Sequence, residues 1–199
     1  MRIHRQWIST LKLTFIATYV ALVYGLQVAL ASIPNVETVT LLLFIAAIKF
    51  PVALTLLMNM SFVLLEAITY GFGDWVLFYI VVWNLLMIIG LLCRPLVNRY
   101  WGLAVFIGAS FGFLFGTIDA LIKGFLYGTS GMLAYWFSGL VFDLIHGISN
   151  FLIFLFCYLP MSKVVSLYIN KYFFTYPSRP KEYFLTLKEP VRLWIKMRF

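Results

Sequence analysis

Asp143, His146 and Asn150 stand at i, i+3 and i+7 in an otherwise apolar run, so they share one face of a predicted helix. A carboxylate beside an imidazole is a residue set that can relay a proton. His4 lies near the start of the chain, which leaves His146 as the histidine placed for such chemistry within the apolar region. Asp119 and Lys123, four residues apart, can pair on one helix face. With Glu37, Glu66 and Asp74, these make five of the seven carboxylates that fall within residues 11–160. Asn59 and Asn84 add neutral polar groups to two further apolar runs. In a bilayer a central charge costs on the order of 2.5–3.5 kcal/mol, so each such group needs a partner, a watered cavity or a function.

Two readings account for these groups. In one they hydrogen-bond one another and hold helices in register. In the other they converge, with Tyr70, Trp75, Tyr127, Tyr135 and Trp136, on an outward-facing pocket with aromatic walls and a few polar anchors for a small ring-containing solute.

The elements that must position them are membrane helices. Of 199 residues 63% are hydrophobic and only 11% charged, against roughly 25% in soluble domains, and the mean hydropathy is +0.98. The fold class expected is an all-α integral membrane protein with six spans: 11–31, 36–49, 51–70, 75–93, 101–127 and 133–160. "KFP" at 49–51 breaks what would otherwise be one helix of about 52 Å, too long for a hydrocarbon core of about 30 Å. Residues 1–10 are expected to form a cytoplasmic segment, 11–160 the six-helix domain, and 161–199 a basic cytoplasmic tail whose end can lie in the interfacial headgroup plane.

Orientation follows from the basic residues. Arg2, Arg5 and Lys12, then Lys49, then Arg94 and Arg99, then Lys163 onward all fall on one side of the predicted spans, so both termini are expected in the cytoplasm. Residues 161–199 hold eight Lys/Arg and two Glu, a +6 share of the net +8. That concentration favours anionic lipids over nucleic acid as the partner of the charge. "ALAS" at 29–32 looks like a signal cleavage site, but the apolar stretch before it, about 19 residues, exceeds the usual 7–15 of a signal core. The first span is therefore expected to remain in the mature chain.

Cys93 and Cys157 lie 64 positions apart without a CxxC or His/Cys cluster, so packing is their expected role, and no metal or cofactor is called for. No GxxxxGK[ST] phosphate loop, GxSxG elbow or HExxH motif occurs. The chain is expected to be neither an enzyme nor an ATPase. Gly108, Gly112, Gly116, Ala120, Gly124 and Gly128 recur every four residues, as do Ala17, Ala21, Gly25 and Ala29; both stripes predict close helix contacts. "SIPNVETVT" at 32–40 is an outer loop in which Pro34 starts a turn and Asn35 caps the next helix. The helix it opens is the shortest, and a short polar-edged segment often marks a binding site. Glu37 and Thr38 are accordingly placed either at the rim of a pocket or simply at a helix N-terminus, where the Glu37 charge is favoured anyway.

Three stretches resemble the substrate-binding S components of energy-coupling factor (ECF) type ABC transporters, the vitamin-uptake systems of bacteria and archaea. "ATYVA" at 17–21 is similar to their AxxxA docking motif, "IPNVETVTLLLF" at 33–44 to the opening of their second helix, and "FDLIHGISNFL" at 142–152 to the last helix of one branch. The resemblance implies a multi-pass subunit of the bacterial cell membrane, binding a vitamin from outside. It also implies a transmembrane coupling protein and two cytoplasmic ATPases as partners, with Ala17, Ala21 and Gly25 docking on the coupling protein. By position it points to Asn84, Asp119, Lys123, Trp136 and Asp143 as solute ligands, beside Asn35, Glu37 and Thr38 in the loop. The last-helix segment leans toward cobalamin, with pantothenate or another B vitamin as the alternative. A proton-coupled transporter using Asp143 and His146, and a membrane scaffold, remain rival classes.

Overall fold

The computed structural model describes residues 10–173, and these form six α-helices with no strand among the described residues. They are α1 (Thr10–Leu30), α2 (Val39–Lys49), α3 (Val52–Tyr70), α4 (Asp74–Arg99), α5 (Gly102–Tyr127) and α6 (Met132–Phe173). Five of the six are long and apolar enough to cross a membrane; α2 is not. The connections run from two to eight residues, which makes successive helices antiparallel neighbours. Gly71 and Gly128 close α3 and α5 with φ of 84° and 90° and extended ψ, a region open essentially to glycine alone.

The expected second span, 36–49, is corrected to an 11-residue helix of about 17 Å, roughly half the hydrocarbon thickness. Phe50 and Pro51 end α2 and start α3, as the "KFP" break predicts. At its other end, residues 36–38 stay outside the helix. Every residue from Val39 to Ile48 is buried, and α2 touches each of the other five helices. A helix apolar on all sides suits such a central position.

A buried short helix brings its end groups with it, and each must find a partner. At the C-terminal end the Arg94 guanidinium of α4 donates through Nη2 to the carbonyls of Ala47 and Phe50, the latter at 2.7 Å. Its positive charge also complements the negative end of the helix dipole. Along its length, Tyr19 Oη donates to Leu42 O at 2.7 Å and Thr55 Oγ1 to Ala46 O at 3.2 Å.

α5 and α6 pack through the glycine stripe. The Phe154 ring covers Gly108, the Gly147 backbone lies against Gly112, the Asp143 carboxylate sits at Gly116, and Met132 at Gly124. A Cβ at Gly112 would lie 2.8 Å from His146 O, so the two backbones approach as closely as glycine allows. The other stripe is placed differently. Ala17, Ala21, Gly25 and Ala29 are all exposed, so among the described residues no helix covers that face.

The sixth helix does not stop at Pro160 as expected. It continues thirteen residues to Phe173, carrying Pro160 inside it. Pro160 removes one backbone donor, but Val165 and Ile169 beyond it are buried in the same hydrophobic core and hold the extension down. At 42 residues α6 is about 63 Å long, about twice the hydrocarbon thickness, so part of it must project past one face. The N-terminal segment 1–9 and the tail from 174, including "EPVRLWIKMRF", lie outside the described residues.

Candidate functional site

The loop from 31 to 38 is built as a series of turns that descend into the bundle. Val36 N donates to Ile33 O at 3.3 Å, with Pro34 and then Asn35 at the two central positions. Asn35 adopts φ 59°, the positive value that the third residue of a type II turn requires. The expectation that Asn35 caps α2 is therefore corrected. Asn35 is spent on the turn, and the capping oxygen comes from Glu37, whose Oε2 accepts from Thr40 N at 2.8 Å. Thr38 precedes the helix without a side-chain capping bond.

Glu37 reaches across to α6. His146 Nε2 lies 3.0 Å from Glu37 Oε1, an oxygen that also accepts from Thr40 Oγ1. One turn on, Ser149 Oγ donates to Asn35 O at 2.8 Å. Two bonds from α6 thus pin the loop, joining residues more than a hundred positions apart. His146 is only 3% exposed and lies fourteen residues, or about 21 Å, from the start of α6. Glu37, at the top of a half-length helix, is held at that same depth by the pairing.

Because α2 stops short, a cavity of about 280 Å3 opens above it. Leu30 and Tyr70, at the ends of α1 and α3, mark its mouth, and Gln27, Ile33, Pro34 and Asn35 form one wall. Tyr79, Trp83, Phe115, His146 and Glu37 line it further in. The aromatic rings make a continuous surface. Tyr79 and Trp83 meet edge to face at 5.6 Å, Phe115 lies tilted against Trp83 at 5.5 Å, and Phe115 and His146 meet edge to face at 4.8 Å between centroids. Asn59 of α3 holds α4 in place beneath them by donating to Trp83 O at 2.9 Å. The arrangement is concave, with polar groups and apolar walls in about equal share, and it brings several polar side chains together against aromatic rings, as small-molecule sites do.

Of the residues expected to bind solute, Asn35 and Glu37 line this cavity, while Thr38, Asn84, Asp119, Lys123, Trp136 and Asp143 are not among its lining. Each of the last five has another task. Asn84 Nδ2 donates to Ile80 O of its own helix at 2.8 Å. Asp119 and Lys123 do pair, at 3.1 Å, and Tyr135 bridges them by donating to Asp119 and accepting from Lys123. Trp136 Nε1 donates to Thr117 Oγ1 at 2.9 Å, and Asp143 Oδ1 accepts from Gly116 N at 2.8 Å. These bonds fasten α6 to α5. His146 pairs with Glu37 and not with Asp143, the partner that the rival proton-relay reading gives it, because Asp143 turns toward the Gly116 backbone that glycine leaves bare.

Sequence reasoning missed Tyr79, Trp83 and Phe115 as parts of the site. The four-residue spacing of Tyr79 and Trp83 puts them on one helix face, a signal available beforehand. Phe115 carries no such mark in a chain with 20 phenylalanines.

Fold and site together define a multi-helix protein compatible with a membrane, with an aromatic cavity recessed among its helices. The chain matches no protein-family model, no curated protein and no solved structure.

Proposed function

We propose that this protein is a solute-binding membrane subunit, in the manner of an ECF-type S component, taking a vitamin or related micronutrient from outside the cell. The observation that carries the reading is the recessed aromatic cavity above a half-length central helix, walled on one side by a loop that α6 pins at two points. Lys12, Lys49, Arg94, Arg99 and Lys163 gather toward the opposite end of the bundle from the cavity mouth. By the positive-inside tendency that end faces the cytoplasm of a bacterial cell, and the mouth faces out.

Transport then needs energy from partners, a transmembrane coupling protein and two ATPases, since the sequence holds no phosphate loop. The exposed small-residue stripe of α1 is the face offered to the coupling protein. A corrinoid is far larger than a cavity of about 280 Å3, so the solute proposed is a compact micronutrient instead of cobalamin.

Mass spectrometry of small molecules released by denaturing the purified protein tests this directly. A stoichiometric solute is expected. Its absence, together with no binding across a panel of B vitamins, would refute the reading and favour a scaffold or a carrier driven through the Glu37–His146 pair.

A further inference from the structure

We infer that the cavity selects a ring-bearing organic cation and rejects carboxylates. This rests on the solute-binding reading above and adds the charge class of the solute. Among the described residues that line the cavity there is one carboxylate, Glu37, and one imidazole, His146, but no lysine or arginine. Glu37 accepts from the Thr40 amide and hydroxyl, neutral donors that orient the carboxylate without cancelling its charge, and its Oε1 lies 3.0 Å from His146 Nε2. The positive end of the α2 dipole, which would otherwise attract an anion, is occupied by Glu37 itself.

The aromatic surface acts in the same sense. The faces of Trp83, Tyr79 and Phe115 carry negative quadrupole density that attracts a cation, and the attraction grows when water is excluded. The Glu37 side chain keeps 12% of its surface accessible, enough to meet a positive group seated against those rings. A carboxylate in the same place would face Glu37 and find no lysine or arginine among the lining residues. A volume of about 280 Å3 limits the ring system to one or two rings.

The test uses the full-length protein in detergent and three probes of one ring size: benzyltrimethylammonium, N-benzylacetamide and phenylacetate, each titrated by calorimetry. The cation is expected to bind at least roughly tenfold tighter than the neutral amide, with the anion weakest. Glu37→Gln is expected to weaken the cation roughly thirtyfold and to leave the amide within about twofold. Should that variant lose its fold, Phe115→Leu is expected to cut the cation-to-amide affinity ratio about threefold, and an unchanged ratio would overturn the inference. Binding of phenylacetate as tight as that of the cation, or an anionic solute co-purifying with the protein, overturns the charge selection and leaves the solute-binding reading standing. If none of the probes binds, no solute co-purifies and no B vitamin of the panel binds, both fall.

Discussion

Arg94→Met tests the claim that a buried half-length helix is held by its ends. Arg94 Nη2 donates to two carbonyls at the end of α2, those of Ala47 and Phe50. Methionine keeps much of the apolar volume of the side chain while removing both donors and the charge. In water-soluble proteins a hydrogen bond from a charged group contributes about 1.5–3 kcal/mol. Inside membranes the average interhelical hydrogen bond is worth only about 0.6 kcal/mol, because the unfolded chain finds other partners. Loss of a cation at a partly buried helix C-terminus adds about 1 kcal/mol. For two bonds and the charge these bounds give an expected loss of about 2–7 kcal/mol. Reversible unfolding in mixed micelles of rising denaturing-detergent fraction, followed by circular dichroism, reads that difference. Arg94→Lys should fall between the two, because an ammonium keeps the charge but lacks the planar fork. A loss for Arg94→Met below about 0.5 kcal/mol, within the range of an ordinary surface substitution, would refute the end-anchoring argument.

Further outcomes follow from the same geometry. Gly112→Ala should destabilise by about 1–3 kcal/mol, since its Cβ meets immovable backbone at 2.8 Å, whereas Gly102→Ala, with open space around it, should be neutral or slightly stabilising in the same unfolding assay. Tyr135→Phe removes the bridge between Asp119 and Lys123 but leaves their pairing, so stability should change by under about 1 kcal/mol and solute affinity not at all. Replacing both Ala17 and Ala21 by Trp adds bulk to an exposed face, so on the S-component reading proposed above fold and solute binding should survive while co-purification of the proposed coupling protein and ATPases is lost. Retained co-purification would remove α1 as the docking face.

What could be read beforehand was whatever depends on local pattern. Apolar runs and short loops marked where the helices lie, though α4 and α6 run six and thirteen residues past their expected ends, and the four-residue glycine spacing on α5 announced its contact with α6. Proline and asparagine marked the turn at 33–36, and the polar edge and short length of the second segment pointed to the neighbourhood of the cavity. Glu37 was legible as an end-of-helix acid because a carboxylate suits the positive end of any helix.

What only the tertiary structure decided was partnership. His146 stands three residues from Asp143 in sequence, yet it bonds Glu37, 109 positions away, because the descending loop carries that carboxylate to mid-bundle. Asp119, Lys123, Trp136 and Asp143 look the same in sequence whether they face a cavity or a neighbouring helix, since a polar residue on a helix face says nothing of what stands opposite. The aromatic lining was equally silent. Periodicity assigns Tyr79, Trp83 and Phe115 to faces, and only the stopping of α2 halfway through the bundle leaves those faces a space to enclose.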